Sequence, residues 1–557
     1  MLWRFGVMLA VAFGVGFGGI CSGALDSTQG IACGVFIAII FGTLFFWTFR
    51  LGIAFLGLAV LIFSQSLNIS QFVLSSSLEV IMFLVGMMVI VGALRDLGFF
   101  TWIVQLIVAM PNLTGRKFIS VTAVASALLA CAVDEVTSII FVSTLIFQVC
   151  DRLKLDATPY ILIAVLCTNV GSAGTMMGNP VGIYIGTKAA LTFGDFIMWA
   201  FPMMLISLAA VVVLNLMFFR KQLNEFDERL KMRLAQGLSL APIVKVPYKA
   251  GLTLIILTTA AIASHHQLET IFDLGKNSVL LVAPLVCAGI VMICKPGRAR
   301  HYIEAEVDWW TLLFFMLLFA VAGTLEFTGV DQVMAKYFSG VCGTEIPTLV
   351  PFIFCTSAIG SAFVDNVIFV AAFCPVIEQL SINIKDMPLW WALLFGACFG
   401  GNITMIGSTA NIVALGMLEK KSSTRMTFFR WFKIGALCTL VSGALVIIGI
   451  LLINPYMSDR PSEVEFRHLS PEAGKIFNGK NVTMFGRLKQ SGNLYRLVSL
   501  KSSDSIAADV SRSSKISIDV PAKIYGELVT VKDEKGDIKH TIIISKTEEL
   551  QEKKQHK

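Results

Sequence analysis

Three acidic residues stand inside apolar runs. Asp134 and Glu135 interrupt Phe118–Cys150, and Asp365 interrupts Leu349–Val376. A carboxylate at bilayer depth normally faces a cavity or a partner and marks an ion path. Each of the three can bind a cation or carry a proton. Thr137 and Ser138 follow the first acids, and Asn366 follows Asp365. Two further apolar runs break at small and amide residues. Tyr160–Leu191 breaks at Gly171–Thr175 and at Gly178-Asn179-Pro180, and Leu389–Met417 breaks at Gly400–Thr404 and at Gly407–Asn411. The candidate ion or substrate ligands are Asp134, Glu135, Thr137, Ser138, Asn169, Ser172, Thr175, Asn179, Asp365, Asn366, Asn402, Thr404, Ser408 and Asn411. Hard cations take oxygen ligands, so a sodium ion would use these same residues. No separate metal site or cofactor is expected, the coupling ion being sodium or a proton.

Plainer readings stand beside these. Asp134 or Asp365 can cap a helix or tie a hairpin tip, and Glu135 can pair with a Lys or Arg. The glycines serve equally as helix-packing positions. His265-His266 has no third ligand nearby and reads as a wet loop end.

The elements that must hold these residues are membrane helices. Of 557 residues, 56% are apolar and 15% are charged. Mean hydropathy is +0.78. Soluble domains carry about 25% charged residues. The chain therefore reads as an all-α polytopic membrane protein. Its net charge of +7 is a matter of loop orientation, not of nucleic acid. The 12 Cys lie scattered in apolar segments and read as packing residues.

Boundaries follow from composition. Residues 1–30 hold either a membrane helix or a signal peptide. Residues 31–220 form a first transporter-like repeat, 221–300 a cytoplasmic loop with a linking helix pair, and 301–456 a second repeat. Residues 457–557 form a small soluble all-β domain, a barrel or sandwich, with strand-like runs at Val482–Phe485, Leu494–Leu500, Ile506–Val510, Ile516–Val520, Ile524–Val531 and Thr541–Ser545. The arms flanking Asp134-Glu135 are about 15 residues each, short of the about 20 needed to span, which predicts a re-entrant hairpin.

The repeat is visible as spacing. Gly92 and Gly323, Gly98 and Gly329, and Asp134 and Asp365 are each 231 apart (365 − 134), and Thr-Met-x-Gly at Thr175 recurs at Thr404 (404 − 175 = 229). Lys and Arg in the loops place Arg220 and Arg300 in the cytoplasm and make the last span run outward. The halves are then inverted, the first hairpin opens to the cytoplasm, and the tail lies outside. Broken helices in inverted repeats point to one site near the midplane.

Phe83–Gly92, the Asp134–Ser138 tip, Ser361–Val367, Gly401–Asn411 and Val307-Asp308-Trp309 together resemble the ion transporter superfamily over about residues 50–455. That group holds arsenite-pump membrane subunits, NhaD-type sodium/proton antiporters, P-protein-type permeases and citrate or dicarboxylate carriers. The resemblance implies a scaffold and a moving transport domain, a homodimer, a multi-pass location in the plasma or inner membrane, and a site made of both hairpin tips and both broken-helix loops. The family's first tip usually reads Asp-Asn, whereas here it is Asp134-Glu135. An added acid repels a polyanion.

The leading expectation is a secondary active transporter for a small ion with proton or sodium coupling, such as a sodium/proton antiporter. The alternative is a permease for arsenite, citrate or another small organic anion. An intramembrane aspartyl protease would carry its acids in regular spans with a Gly-x-Gly-Asp signature, which is absent. A sensor acting through the β tail is a further class. No GxxxxGK nucleotide loop occurs.

Overall fold

The structure is a computed structural model. It describes residues 2–189, 191–236, 247–272, 274, 278–343, 345–381, 387–421, 426–457, 462–463, 480–491, 494–499, 505–510, 521–532 and 538–549. The chain divides into a membrane unit (Met1–Gly343, Pro347–Ile377, Pro388–Ile453) and a second unit that contains the tail. Among the described residues, nine helices are long and apolar enough to cross a membrane.

The repeat seen as spacing is a repeat of architecture. Each half opens with a 19-residue helix, Leu78–Asp96 and Trp309–Phe327. Each helix is followed by a glycine with positive φ, Gly98 at 71° and Gly329 at 77°. Only glycine takes this left-handed conformation freely. The turn starts a shorter helix, Phe99–Val108 or Val330–Cys342. Hydropathy reading passed over both short helices, because neither is long enough to span.

A hairpin comes next. The first joins Gly115–Ala132 to Glu135–Leu153, and the second joins Ile346–Phe363 to Asn366–Ser381. The first arms are 18 and 19 residues long rather than about 15, because the helices start before and end beyond the apolar run. A broken helix follows in each half. The first is Thr158–Gly171 and Pro180–Lys188, and the second is Met387–Gly400 and Thr409–Lys421. Each half closes with a long helix, Phe201–Phe218 or Phe428–Ile453, and these two pack on each other.

The helices sort into two sets. Trp309–Phe327 packs against Ser27–Phe45, Arg50–Phe63 and Ile69–Ser75, while Leu78–Asp96 packs against Ser278–Cys294. These form a frame. The first hairpin, Thr158–Gly171, Thr409–Lys421 and the two closing helices form a core, while Pro180–Lys188 packs on Leu78–Asp96. The N-terminal segment is helical over Leu2–Cys21 and packs on Ser27–Phe45.

The polar stretch expected as a loop after Arg220 is instead a helix, Arg220–Ala235. It buries Leu223, Phe226 and Leu230, and its Phe226 ring stacks on Phe118 at the base of the first hairpin, 5.1 Å away. An apolar stripe at helical spacing suffices to dock an otherwise charged segment.

In the tail the strands are β1 (Ser462–Glu463), β2 (Lys480–Ser491), β3 (Leu494–Ser499), β4 (Ser505–Asp509), β5 (Pro521–Lys532) and β6 (Ile538–Glu549). Their order is β1-β2-β3-β4-β6-β5, and β5 returns to pair with β2. The ring is thus closed, with β4 and β6 parallel and the other ring pairs antiparallel. Closure removes exposed strand edges. Alternating residues face inward: Met484, Leu488, Leu497, Ile506, Ala508, Ile524, Ile542 and Ile544 are buried. The strand expected at 516–520 lies outside the described residues.

Candidate functional site

Each of the four breaks ends in a new helix, and each new helix starts from a polar cap. Val133 leaves helical geometry, and Asp134 is extended and accepts from the Thr137 N–H at 2.7 Å. Asn179 is extended and accepts from the Gly182 N–H at 2.9 Å, with Pro180 just inside the helix. Asp365 accepts from the Val367 N–H at 3.0 Å, and Ser408 from the Ala410 N–H at 3.1 Å. Asp, Asn and Ser are preferred caps because their oxygens satisfy orphan helix N–H groups. The plainer role noted for Asp134 is therefore real. Four half-helices direct the positive ends of their dipoles into one region.

The two repeats meet there in a buried hydrogen-bond network. Asn169 Nδ2 donates to Asn402 Oδ1 at 2.8 Å and to Asn411 Oδ1 at 2.9 Å. Ser408 Oγ is 3.0 Å from Asn169 Oδ1 and 3.3 Å from Glu135 Oε1. Asn411 Nδ2 donates to the carbonyls of Gly401 and Thr404, and Asn402 Nδ2 to that of Leu166. Asn179 Nδ2 donates to Ser172 Oγ at 3.0 Å and to Cys398 Sγ at 3.1 Å. Thr409 Oγ1 donates to Asp365 Oδ2 at 2.9 Å, and Ser361 Oγ to Asn366 Oδ1 at 2.6 Å.

The asparagine amides of this network are matched with acceptors. One atom is not: Glu135 Oε2 is buried and makes no hydrogen bond. Glu135 is 6% exposed and Asp365 is 5% exposed. The two carboxyls bind adjacent residues, Glu135 through Ser408 and Asp365 through Thr409.

Internal symmetry runs through these contacts. Thr175 Oγ1 donates to the Cys131 carbonyl, and Thr404 Oγ1 donates to the Ala362 carbonyl. Both bonds tie a broken-helix loop to the tip of its own hairpin. Asn179–Cys398 and Ser408–Asn169 are likewise one contact made twice, since both members are 229 apart (408 − 179 and 398 − 169). Gly171 lies on Ala127 of the first hairpin as Gly400 lies on Ala358 of the second.

Most of the residues singled out from the sequence converge here. Asp134 caps its helix and is half-buried. Thr137 contributes its N–H to that cap. Ser138 points away, donating to the Ser126 carbonyl within the hairpin at 2.6 Å. The reading missed Cys398 and Thr409. Cys398 could have been found by carrying Asn169 forward 229 positions. His265 is buried, with Nδ1 2.8 Å from the Ile262 carbonyl, at the start of helix His265–Ile271.

Repeated halves, paired hairpins and a shared polar centre are the architecture of a membrane transporter. Residues 36–396 match the family model described as citrate transporter, and the chain belongs to that family. It is 32% identical over 386 residues to an uncharacterized transporter of Mycobacterium tuberculosis, covering 67% of this chain and 86% of that protein. It is 25% identical over 449 residues to the P protein of Mus musculus, covering 68% of this chain and 54% of that protein. The YdaH transporter of Alcanivorax borkumensis aligns at a TM-score of 0.47 and 16% identity, over 72% of this chain and 89% of that one.

Proposed function

We propose that the protein is a secondary active transporter of a small ion with proton or sodium coupling, working as a sodium/proton antiporter. The carrying observation is a pair of buried acids on adjacent residues of one broken-helix loop: Glu135, whose Oε2 makes no hydrogen bond, is held by Ser408, and Asp365 by Thr409. Two buried acids with no hydrogen-bonded cation beside them among the described residues favour a proton or a metal cation between them. Asn169, Ser172, Asn402, Ser408 and Asn411 would supply neutral oxygens to a sodium ion, and Asp134, Thr137, Ser138, Thr175, Asn179, Asn366 and Thr404 would shape the surrounding walls. No cofactor is invoked beyond the coupling ion. We place the protein in the plasma or inner membrane as a homodimer, with the β domain outside the cytoplasm.

A second reading is supported by the family description and by the four helix N-termini: an anion such as citrate would be held by their N–H groups. Flux in proteoliposomes with an internal pH dye separates the two. Sodium or lithium alone should move protons, and Asp365→Asn should abolish that movement while the protein stays folded in detergent. Silence with cations and a response to citrate or arsenite would select the anion reading. Wild-type flux from Asp365→Asn would remove Asp365 from the site.

A further inference from the structure

The half-helix Pro180–Lys188 leads out of the polar centre. Asn179 caps its first turn, and the same side chain donates from Nδ2 to Cys398 Sγ at 3.1 Å. Lys188 is its last residue, about 13 Å further along at 1.5 Å per residue. The helix lies against the frame, packing on Leu78–Asp96. Tyr184 stacks on Phe319 with ring centroids 4.3 Å apart and planes 6° apart, and both rings are buried. One turn on, Lys188 Nζ is 3.7 Å from Glu326 Oε2. Phe319 and Glu326 stand two turns apart on Trp309–Phe327. A ring stack and an ion pair thus fasten the half-helix along that frame helix.

Charge placement sets Glu326 apart. A carboxylate in the last turn of a helix meets the negative end of the dipole. Glu326 therefore gains nothing from its own helix, and Lys188 supplies the charge that suits it. The second repeat lacks this clasp. Its half-helix Thr409–Lys421 packs on Glu135–Leu153 and Thr158–Gly171. The positions 229 beyond Tyr184 and Lys188 are Val413 and Met417 (413 − 184 and 417 − 188), which can make neither a ring stack nor an ion pair. We infer that Tyr184 and Lys188 are positioning residues, which seat Asn179 in the site by clasping its half-helix to the frame. With the clasp closed, Asn179 covers the buried Cys398. With it open, the half-helix shifts, Asn179 leaves and the thiol is uncovered. A polar cavity of about 450 Å³ beside the clasp gives the freed end room to move; Ser75, Ser77, Glu79, Thr187, Lys188 and Ser278 line it. The inference holds whichever ion is carried.

The test is the rate at which N-ethylmaleimide labels Cys398 in the full-length protein in detergent, read by peptide mass spectrometry. Cys167, also buried but on the core half of the same broken helix, is the internal reference. Lys188→Glu sets two carboxylates against each other. It should speed labelling of Cys398 about fivefold or more, the lower end of coupling between sites, with Cys167 unchanged. Tyr184→Leu, which removes the stack and keeps apolar bulk, should act in the same direction. Adding Glu326→Lys to Lys188→Glu restores an ion pair with the charges exchanged and should return the rate toward wild type. If Lys188→Glu does not fold, Lys188→Gln carries the same comparison of the two cysteines. An unchanged Cys398 rate or an equal rise at Cys167 would overturn the assignment. So would a charge exchange that restores nothing, or rescue by Glu79→Lys in place of Glu326→Lys.

Discussion

Replacing Gly171 by Ala tests the packing that brings hairpin and broken helix together. A Cβ at Gly171 would meet the Ala127 carbonyl oxygen at 2.3 Å, its Cα at 2.4 Å and its carbonyl carbon at 2.7 Å. Non-bonded carbons rest at about 3.5–4.0 Å, so the two helices must part by roughly an ångström. All three atoms are backbone, so no side chain can swing aside. Overpacking of this kind costs typically about 1–3 kcal/mol, occasionally more. Alanine returns only about 0.5–1 kcal/mol through helix preference. The net effect is therefore destabilising. It also displaces the loop that carries Ser172 and Asn179, and a shift near 1 Å can lower a positioned reaction about 100-fold. Thermal unfolding in detergent and flux in proteoliposomes read the two effects. Gly400→Ala should match Gly171→Ala, since its Cβ would meet Ala358 Cα and its carbonyl oxygen, each at 2.5 Å. Gly289→Ala, with nothing within 4 Å, is the control and should hold or gain stability. A Gly171→Ala protein as stable as wild type, or a Gly289→Ala protein that loses as much, would refute the reasoning.

Further expectations concern symmetry and topology. Thr175→Val and Thr404→Val each remove one buried bond from loop to hairpin carbonyl, and each should lower stability by about 1 kcal/mol, seen as similar falls in unfolding temperature. A large effect at one position alone would break the equivalence of the halves. A reporter placed after Met457 should be accessible from outside the cell, and a chain ended there should keep its transport. A cytoplasmic signal would reverse the orientation, and loss of flux would give the β domain a part in transport.

The membrane class was legible in the sequence because apolar runs are local. So was the repeat, because Gly98 and Gly329 meet the same backbone demand, a positive φ after a span. The four breaks were legible because cap residues and glycines mark where a helix stops and restarts. Two helices, Phe99–Val108 and Val330–Cys342, were not, since hydropathy detects length and both are short. The docked helix Arg220–Ala235 was hidden by its charge, with only three buried apolar residues to betray it.

What tertiary structure decided is which polar residue faces which. Ser138 and Thr137 stand beside Glu135 in sequence, yet Ser138 turns into the hairpin while Ser408, 273 residues away, reaches Glu135. Hydrogen bonds across the repeat interface depend on how two helix pairs pack, and no local pattern encodes that. The same holds for Arg50. In sequence it is a basic residue between apolar runs, the ordinary mark of a membrane edge. Burial between Trp47 and Phe314 follows only once the frame helices close around it.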